Sequence, residues 1–107
     1  MSVYSEKPWL KNYKVGSFKL KTSMEYPEKP LFSILDEAAV SWSGRDAIYF
    51  LEKRIKYRDL IELVDRFANA LHNLGLEKGE RVVVFLPTCP QYIISDFAVL
   101  KNGAVIV

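Results

Sequence analysis

The chain has 107 residues, half of them apolar and 13% aromatic, with a formal net charge of +2. That is enough for one domain that buries about 65% of its unfolded surface, and it is too apolar for an intrinsically disordered segment. So small a charge specifies no polyanion partner. The single cysteine, Cys89, makes no internal disulfide, and no early apolar run resembles a signal peptide or nears the ~20 residues of a membrane span, so a reducing, cytoplasmic setting is expected.

Residues 1–29 carry no sustained period. Pro8 and Pro27 punctuate them, and Tyr4, Trp9, Tyr13, Phe18 and Tyr26 are spaced too irregularly for one helix face. The segment reads as an extended N-terminal arm whose aromatics dock onto the body at 30–107. The charge surplus is local to it: Lys7, Lys11, Lys14, Lys19, Lys21 and Lys29 stand against Glu6, Glu25 and Glu28. Lysines on phosphates with aromatics on bases would make a nucleic-acid arm. The lysines form no block, however, and a docked structural arm is the better reading.

Leu31, Ile34, Leu35, Ala38, Ala39 and Trp42 recur at helical spacing, with Pro30 suited to the first turn, so a helix is predicted over 31–42. Ala47 to Leu51 is a short apolar and aromatic run. Glu52 to Arg54 is a polar turn, and Ile55 to Tyr57 returns, which together predict a hairpin. Tyr57, Leu60, Ile61, Val64, Phe67, Ala68, Leu71 and Leu74 then draw one stripe at about 100° per residue, the signature of a long amphipathic helix. Gly75 is placed for a left-handed cap. Lys56 stands where Ser or Thr caps best, partly offset by Asp59 in the first turn.

Lys78-Gly79-Glu80 is a turn. Arg81 to Leu86 lacks polar alternation, which predicts a strand covered on both faces in a parallel sheet. Pro87 and Pro90 bracket a sharp corner. A helix over 91–102 turns Ile93, Ile94, Phe97, Leu100 and Val99 inward, Gly103 closes it, and 104–107 forms the next strand. The predicted fold class is therefore α/β: a hairpin plus helix followed by a parallel βαβ unit. Because the second strand has only four residues, the unit reads as the front end of a larger enzyme, with Ala104 to Val107 exposed to strand pairing between copies.

Chemistry is sparse. His72 has no second His or Cys near it in sequence and is expected to be a half-exposed surface residue. Gly75, Gly79 and Gly103 are too far apart to cradle a phosphate. In open α/β sheets ligands gather beyond the carboxyl ends of strands, which leaves Thr88 and Cys89 as the candidate pocket wall. A rigid proline-bounded corner explains the same residues, and Cys89 has no adjacent cation to activate it.

The motifs taken together resemble the N-terminal part of the AMP-forming adenylate ligases, the superfamily of acyl-CoA synthetases, luciferases and adenylation domains. Ile55-Lys56-Tyr57-Arg58-Asp59-Leu60 resembles a Thr-Tyr-x-Glu-Leu pattern. Arg66 to Leu71, followed by Leu74 to Val82, is similar to the Ala-x-x-Leu, Leu-Gly-Val, Lys-Gly-Asp-x-Val series. Leu86 to Gln91 resembles Leu-Pro-Asn-x-Pro-Glu, and Leu100 to Val107 resembles Leu-Lys-Ala-Gly-Ala-x-x-Val. Pro8 to Tyr13 is similar to the leader of bacterial and archaeal fatty-acyl-CoA ligases. Lys56, Asp59 and Thr88 depart from the pattern.

The resemblance implies a parent enzyme that uses ATP, magnesium and coenzyme A to convert a carboxylic acid, a fatty acid by the likeness of its leader, first to an acyl-adenylate and then to a thioester. The family's phosphate loop, its Tyr-Gly-x-Thr-Glu segment, its ribose-binding Asp and its C-terminal Lys have no counterparts in this sequence. No catalytic, cofactor-binding or metal-binding residue is therefore carried over, and these 107 residues are expected to be inactive alone. The alternative is a free-standing, non-catalytic α/β interaction module that uses the lysine-bearing arm as its contact.

Overall fold

The computed structural model describes residues 2–107. In chain order the elements are α1 (Val3–Glu6), a 3-10 turn (Pro8–Asn12), β1 (Lys14–Val15), β2 (Phe18–Lys19), α2 (Ser33–Ser41), β3 (Asp46–Phe50), β4 (Lys53–Lys56), α3 (Tyr57–Asn73), β5 (Arg81–Val82), α4 (Pro90–Lys101) and β6 (Val105–Ile106). The strands pair as antiparallel β1–β2, antiparallel β3–β4 and parallel β5–β6. The α/β class holds, with the hairpin and α3 leading into a parallel βαβ unit.

The arm differs from its sequence reading. It folds into short local pieces, and most of its aromatics lie open: Tyr4, Phe18 and Tyr26 are exposed, Tyr13 is half-buried, and Tyr4 meets Trp9 edge to face at 6.3 Å. The physical reason is the one that hid its structure in the sequence. Without a 3.6- or 2-residue period, no run of apolar side chains lines up on a face that the body can cover.

The hairpin turn falls one residue early, at Leu51–Glu52, and both residues adopt left-handed φ (45° and 64°). A two-residue turn of this hand matches strand twist, yet it is usually built from Asn-Gly or Asp-Gly. With neither present, the polar triplet Glu52 to Arg54 was the stronger sequence signal. A register irregularity between Asp46 and Ile48 bends β3. Arg54 braces the hairpin by pairing with Asp46 at 3.0 Å and lying 5.5 Å from the Tyr49 ring centroid.

Helix α3 is as its spacing predicts. Leu60 and Val64 are buried, and Tyr57, Ile61, Ala68 and Leu71 are half-buried along the same stripe, whereas Phe67 and, at the C-cap, Leu74 are exposed. Lys56 gives its first turn no side-chain cap. The loop before the hairpin does that work with backbone: Tyr57 N–H donates to the Arg45 carbonyl (3.0 Å) and Arg58 N–H to the Ser43 carbonyl (3.2 Å). Two of the helix's unpaired donors are thereby satisfied without a hydroxyl. At the other end Gly75 (φ 96°) closes a Schellman motif, with Leu76 N–H on the Leu71 carbonyl and Gly75 N–H on the His72 carbonyl.

Helix α4 ends the same way, with Ala104 N–H on the Val99 carbonyl and Gly103 N–H on the Leu100 carbonyl. The core lies where α2, α3 and α4 meet, around Leu35, Leu60, Val64 and Ala98, with Ile48, Ile55, Ile93 and Phe97 packed against it. Ala98 and Ala104 are buried although their small side chains left little trace in the sequence pattern.

The parallel ladder is shorter than the apolar run of 81–86. Arg81 and Val82 register with Val105 and Ile106, and Val84 N–H reaches the Val107 carbonyl at 3.3 Å. The expectation of cover on both faces is not met: Val82 and Val84 are half-buried, whereas Val83 and Phe85 are 71% and 96% exposed. Among the described residues α3 and α4 supply cover on one side of this strand, where it runs beside Phe67, Leu71 and Val99.

Candidate functional site

The corner after β5 carries the two residues nominated as a pocket wall. Thr88 is exposed and Cys89 is half-buried. Cys89 occupies the N-cap of α4 in extended conformation (φ −151°, ψ 167°). Its side chain makes no capping bond, and its carbonyl accepts from Tyr92 N–H at 3.1 Å. A depression of about 600 Å³ beside these two residues is lined by Pro90, Gln91 and Ile94 of α4 together with Leu51 and Arg54 of the hairpin.

This corner does not fit a phosphate or a metal. Pro90 at the first helical position removes one of the amide donors that a helix N-terminus would offer an anion. No glycine lets backbone approach closely, and the corner contains no lysine or arginine. No cluster of three His, Cys, Asp or Glu side chains able to hold a metal occurs among the described residues. His72 is exposed.

A second concavity is mostly apolar. Ile34, Leu35, Ala38, Trp42, Ile48 and Phe97 surround about 440 Å³ between α2, the hairpin and α4. Trp42 also packs tilted against Tyr57, with ring centroids 6.3 Å apart. Glu37, Ser41 and Tyr57 also reach the lining, but apolar surface predominates, and a lining of this kind can cover another apolar surface.

The concentrated electrostatics lie elsewhere. Lys101, at the end of α4, donates to Asp65 of α3 at 2.6 Å and pairs with Asp36 of α2 at 2.8 Å. Burial alone would lower its pKa, but its hydrogen bonds and charge attraction to Asp36 and Asp65 outweigh that, and the ammonium is held above the ordinary lysine range. One side chain thus staples three helices. Beside it Asn102 donates its amide to the carbonyls of Ala68 and Ala98, both at 3.0 Å. Asp96 is the contrary case. Its Oδ1 is buried without a partner, and desolvation raises its pKa. Sequence reasoning missed the Lys101 staple because its members are 29 and 36 positions apart in helices read separately. The one available signal was a lysine in the last turn of α4, which the helix dipole alone explains.

With this geometry in view, the comparisons with known proteins fall into place. The family model described as AMP-binding enzyme matches residues 35–107. The long-chain-fatty-acid–CoA ligase of Bacillus subtilis is 37% identical over 103 residues, which is 96% of this chain and 18% of that enzyme. The acetyl-coenzyme A synthetase of Syntrophus aciditrophicus is 34% identical over 110 residues, covering 92% of this chain and 16% of the relative. Among solved structures, the N-terminal subdomain of Klebsiella oxytoca NpsA in complex with 3-hydroxyanthranilyl-AMSN superposes with a TM-score of 0.74 at 32% identity, over 81% of this chain and 22% of that one. The chain belongs to the AMP-binding enzyme family and corresponds to an N-terminal part of an adenylate-forming ligase. It spans less than a fifth of the length of the curated relatives it matches.

Proposed function

We propose that these residues are the N-terminal scaffold of an ATP-dependent, AMP-forming acyl-CoA synthetase acting on long-chain fatty acids. In that reaction a carboxylate attacks the α-phosphorus of ATP, pyrophosphate leaves, and the thiol of coenzyme A then takes the acyl group with release of AMP. Magnesium, when bound to the ATP, would supply neutralisation of phosphate charge. The observation that carries the reading is the match to the Bacillus subtilis ligase, which takes in nearly the whole chain, arm included. The enzyme works in the cytoplasm, in keeping with a lone free thiol and with no helix of the described residues long and apolar enough to cross a membrane.

Within that enzyme the stretch contributes form more than chemistry. Residues 30–107 are one α/β subdomain and 1–29 an arm. The exposed Val83 and Phe85 and the strand at Val105–Ile106 are surfaces for further sheet and helix, or for a second copy where those are missing. Thr88 and Cys89 stand at the strand end as a remote wall of the substrate side, without contact to reacting atoms.

A chimera tests this. The matching stretch of the Bacillus subtilis ligase is replaced by these residues, and thioester formation is followed across acyl chain lengths. Retained activity with long acyl chains is the expected result; a folded chimera confined to acetate overturns the substrate assignment. The isolated chain is expected to give no exchange of pyrophosphate into ATP, and magnesium-dependent exchange by it alone overturns the scaffold role. An isolated chain that stays monomeric at high concentration by light scattering counts against self-association through the strand at Val105–Ile106.

A further inference from the structure

We propose that the arm is a peripheral docking element for an anionic lipid surface, a role beyond the scaffold reading and independent of it. The inference starts from the hairpin β1–β2. Successive side chains of a strand point to opposite faces, so Lys19 takes one face while Phe18 and Leu20 share the other. The pairing continues to Leu20, whose N–H donates to the Tyr13 carbonyl at 2.9 Å. The register sets Lys14 directly across from Lys19. Two like charges in directly opposed positions repel, and among the described residues neither lysine has a carboxylate within ion-pair distance. Phe18 is 66% exposed on the other face. A small hairpin that is cationic on one side and apolar on the other, with neither side answered among the described residues, is matched by an interface where anionic headgroups meet hydrocarbon.

The rest of the arm agrees. Trp9 and Tyr4 are exposed, and amphipathic rings of this kind sit at headgroup level. Lys7 and Lys11 flank them, also exposed. Lys29 alone among the arm's lysines is paired, with Glu37 of α2, which anchors the arm's far end to the body. Nucleic acid fits less well. Residues 1–29 contain no arginine to grip phosphates bidentately. Leu20 and Met24 are aliphatic and offer no stacking face, and the Trp9 ring already meets Tyr4 edge to face.

The full chain is tested by flotation with vesicles of phosphatidylcholine alone and with about 30 mol% phosphatidylglycerol, at low and raised salt. Binding to the anionic vesicles only, weakened by salt, is expected. Lys14→Gln with Lys19→Gln should weaken partitioning about 30-fold, from roughly fivefold per lysine. Phe18→Ser with Leu20→Ser should weaken it at least about tenfold. Phe85→Ser, on the open sheet face, should leave it unchanged, with circular dichroism confirming that every variant is folded. Binding indifferent to lipid charge and to the lysine pair overturns the proposal, as does binding lost with Phe85→Ser, no binding at all, or binding to an oligonucleotide instead of the vesicles.

Discussion

Helix α3 and the arm are made of similar material. Both mix aromatics, aliphatics and charges, yet α3 buries Leu60 and Val64 almost completely, while Tyr4, Phe18, Met24 and Tyr26 of the arm lie open to solvent. The difference is arrangement. The apolar residues of α3 fall on one arc of the helix, so α2 and α4 cover them together, whereas those of the arm point in as many directions as it has short elements. Burial here follows from period, and aromatic content alone secures none.

The sharpest way to break this contrast is Leu60→Ala. A cavity at the meeting of three helices should cost about 2–5 kcal/mol, read as a lowered urea midpoint with unchanged slope. A loss under 1 kcal/mol would mean that α3 is no more anchored than the arm. Gly103→Ala comes next. At φ 70° a side chain is strained, and its Cβ would lie 3.0 Å from Lys78 Cγ, so a loss of about 1–2 kcal/mol is expected. Gly75→Ala, with nothing within 4 Å of its Cβ, should lose the conformational part only. Equal losses would show that Lys78 simply moves aside.

Lys101→Met should cost about 1 kcal/mol at low salt, since Asp36 and Asp65 are partly exposed and screened. Because the folded-state pKa of Lys101 lies above its unfolded value, its contribution is fully present below the ordinary lysine pKa and is lost as pH rises through the folded value. Wild type and variant should therefore converge in chemical denaturation at strongly alkaline pH. A gap that persists there would assign the loss to packing of the lysine stem. Deleting residues 2–26 should change stability least, within about 0.5 kcal/mol. A larger loss by the same denaturation would reveal docking that the exposed aromatics do not suggest.

How much was legible in the sequence follows the same line. The stripe of α3, the caps at Gly75 and Gly103 and the α/β order were readable because each is encoded within a few consecutive residues. The turn at Leu51–Glu52 was not, since nothing in those side chains announces left-handed backbone. Ala98 and Ala104 were missed as core because small side chains carry little hydrophobic signal. The Asp36–Lys101–Asp65 staple was out of reach because it exists only once three helices have met. Of the candidate site, the corner holding Thr88 and Cys89 was readable from its two prolines, whereas the extended Cys89 N-cap without a side-chain bond was not.

The bonds from Asn102 to Ala68 and Ala98 have a kinetic side. The bond to Ala68 closes a loop of 34 positions between α3 and α4, a modest entropic cost compared with joining distant strands. All that is needed to close it lies between Tyr57 and Gly103, so these two helices form the natural first unit to fold, before the hairpin or the arm has a partner. φ-values near 1 at Ala68 and Ala98, with values near 0 at Ile48, would mark that order of events.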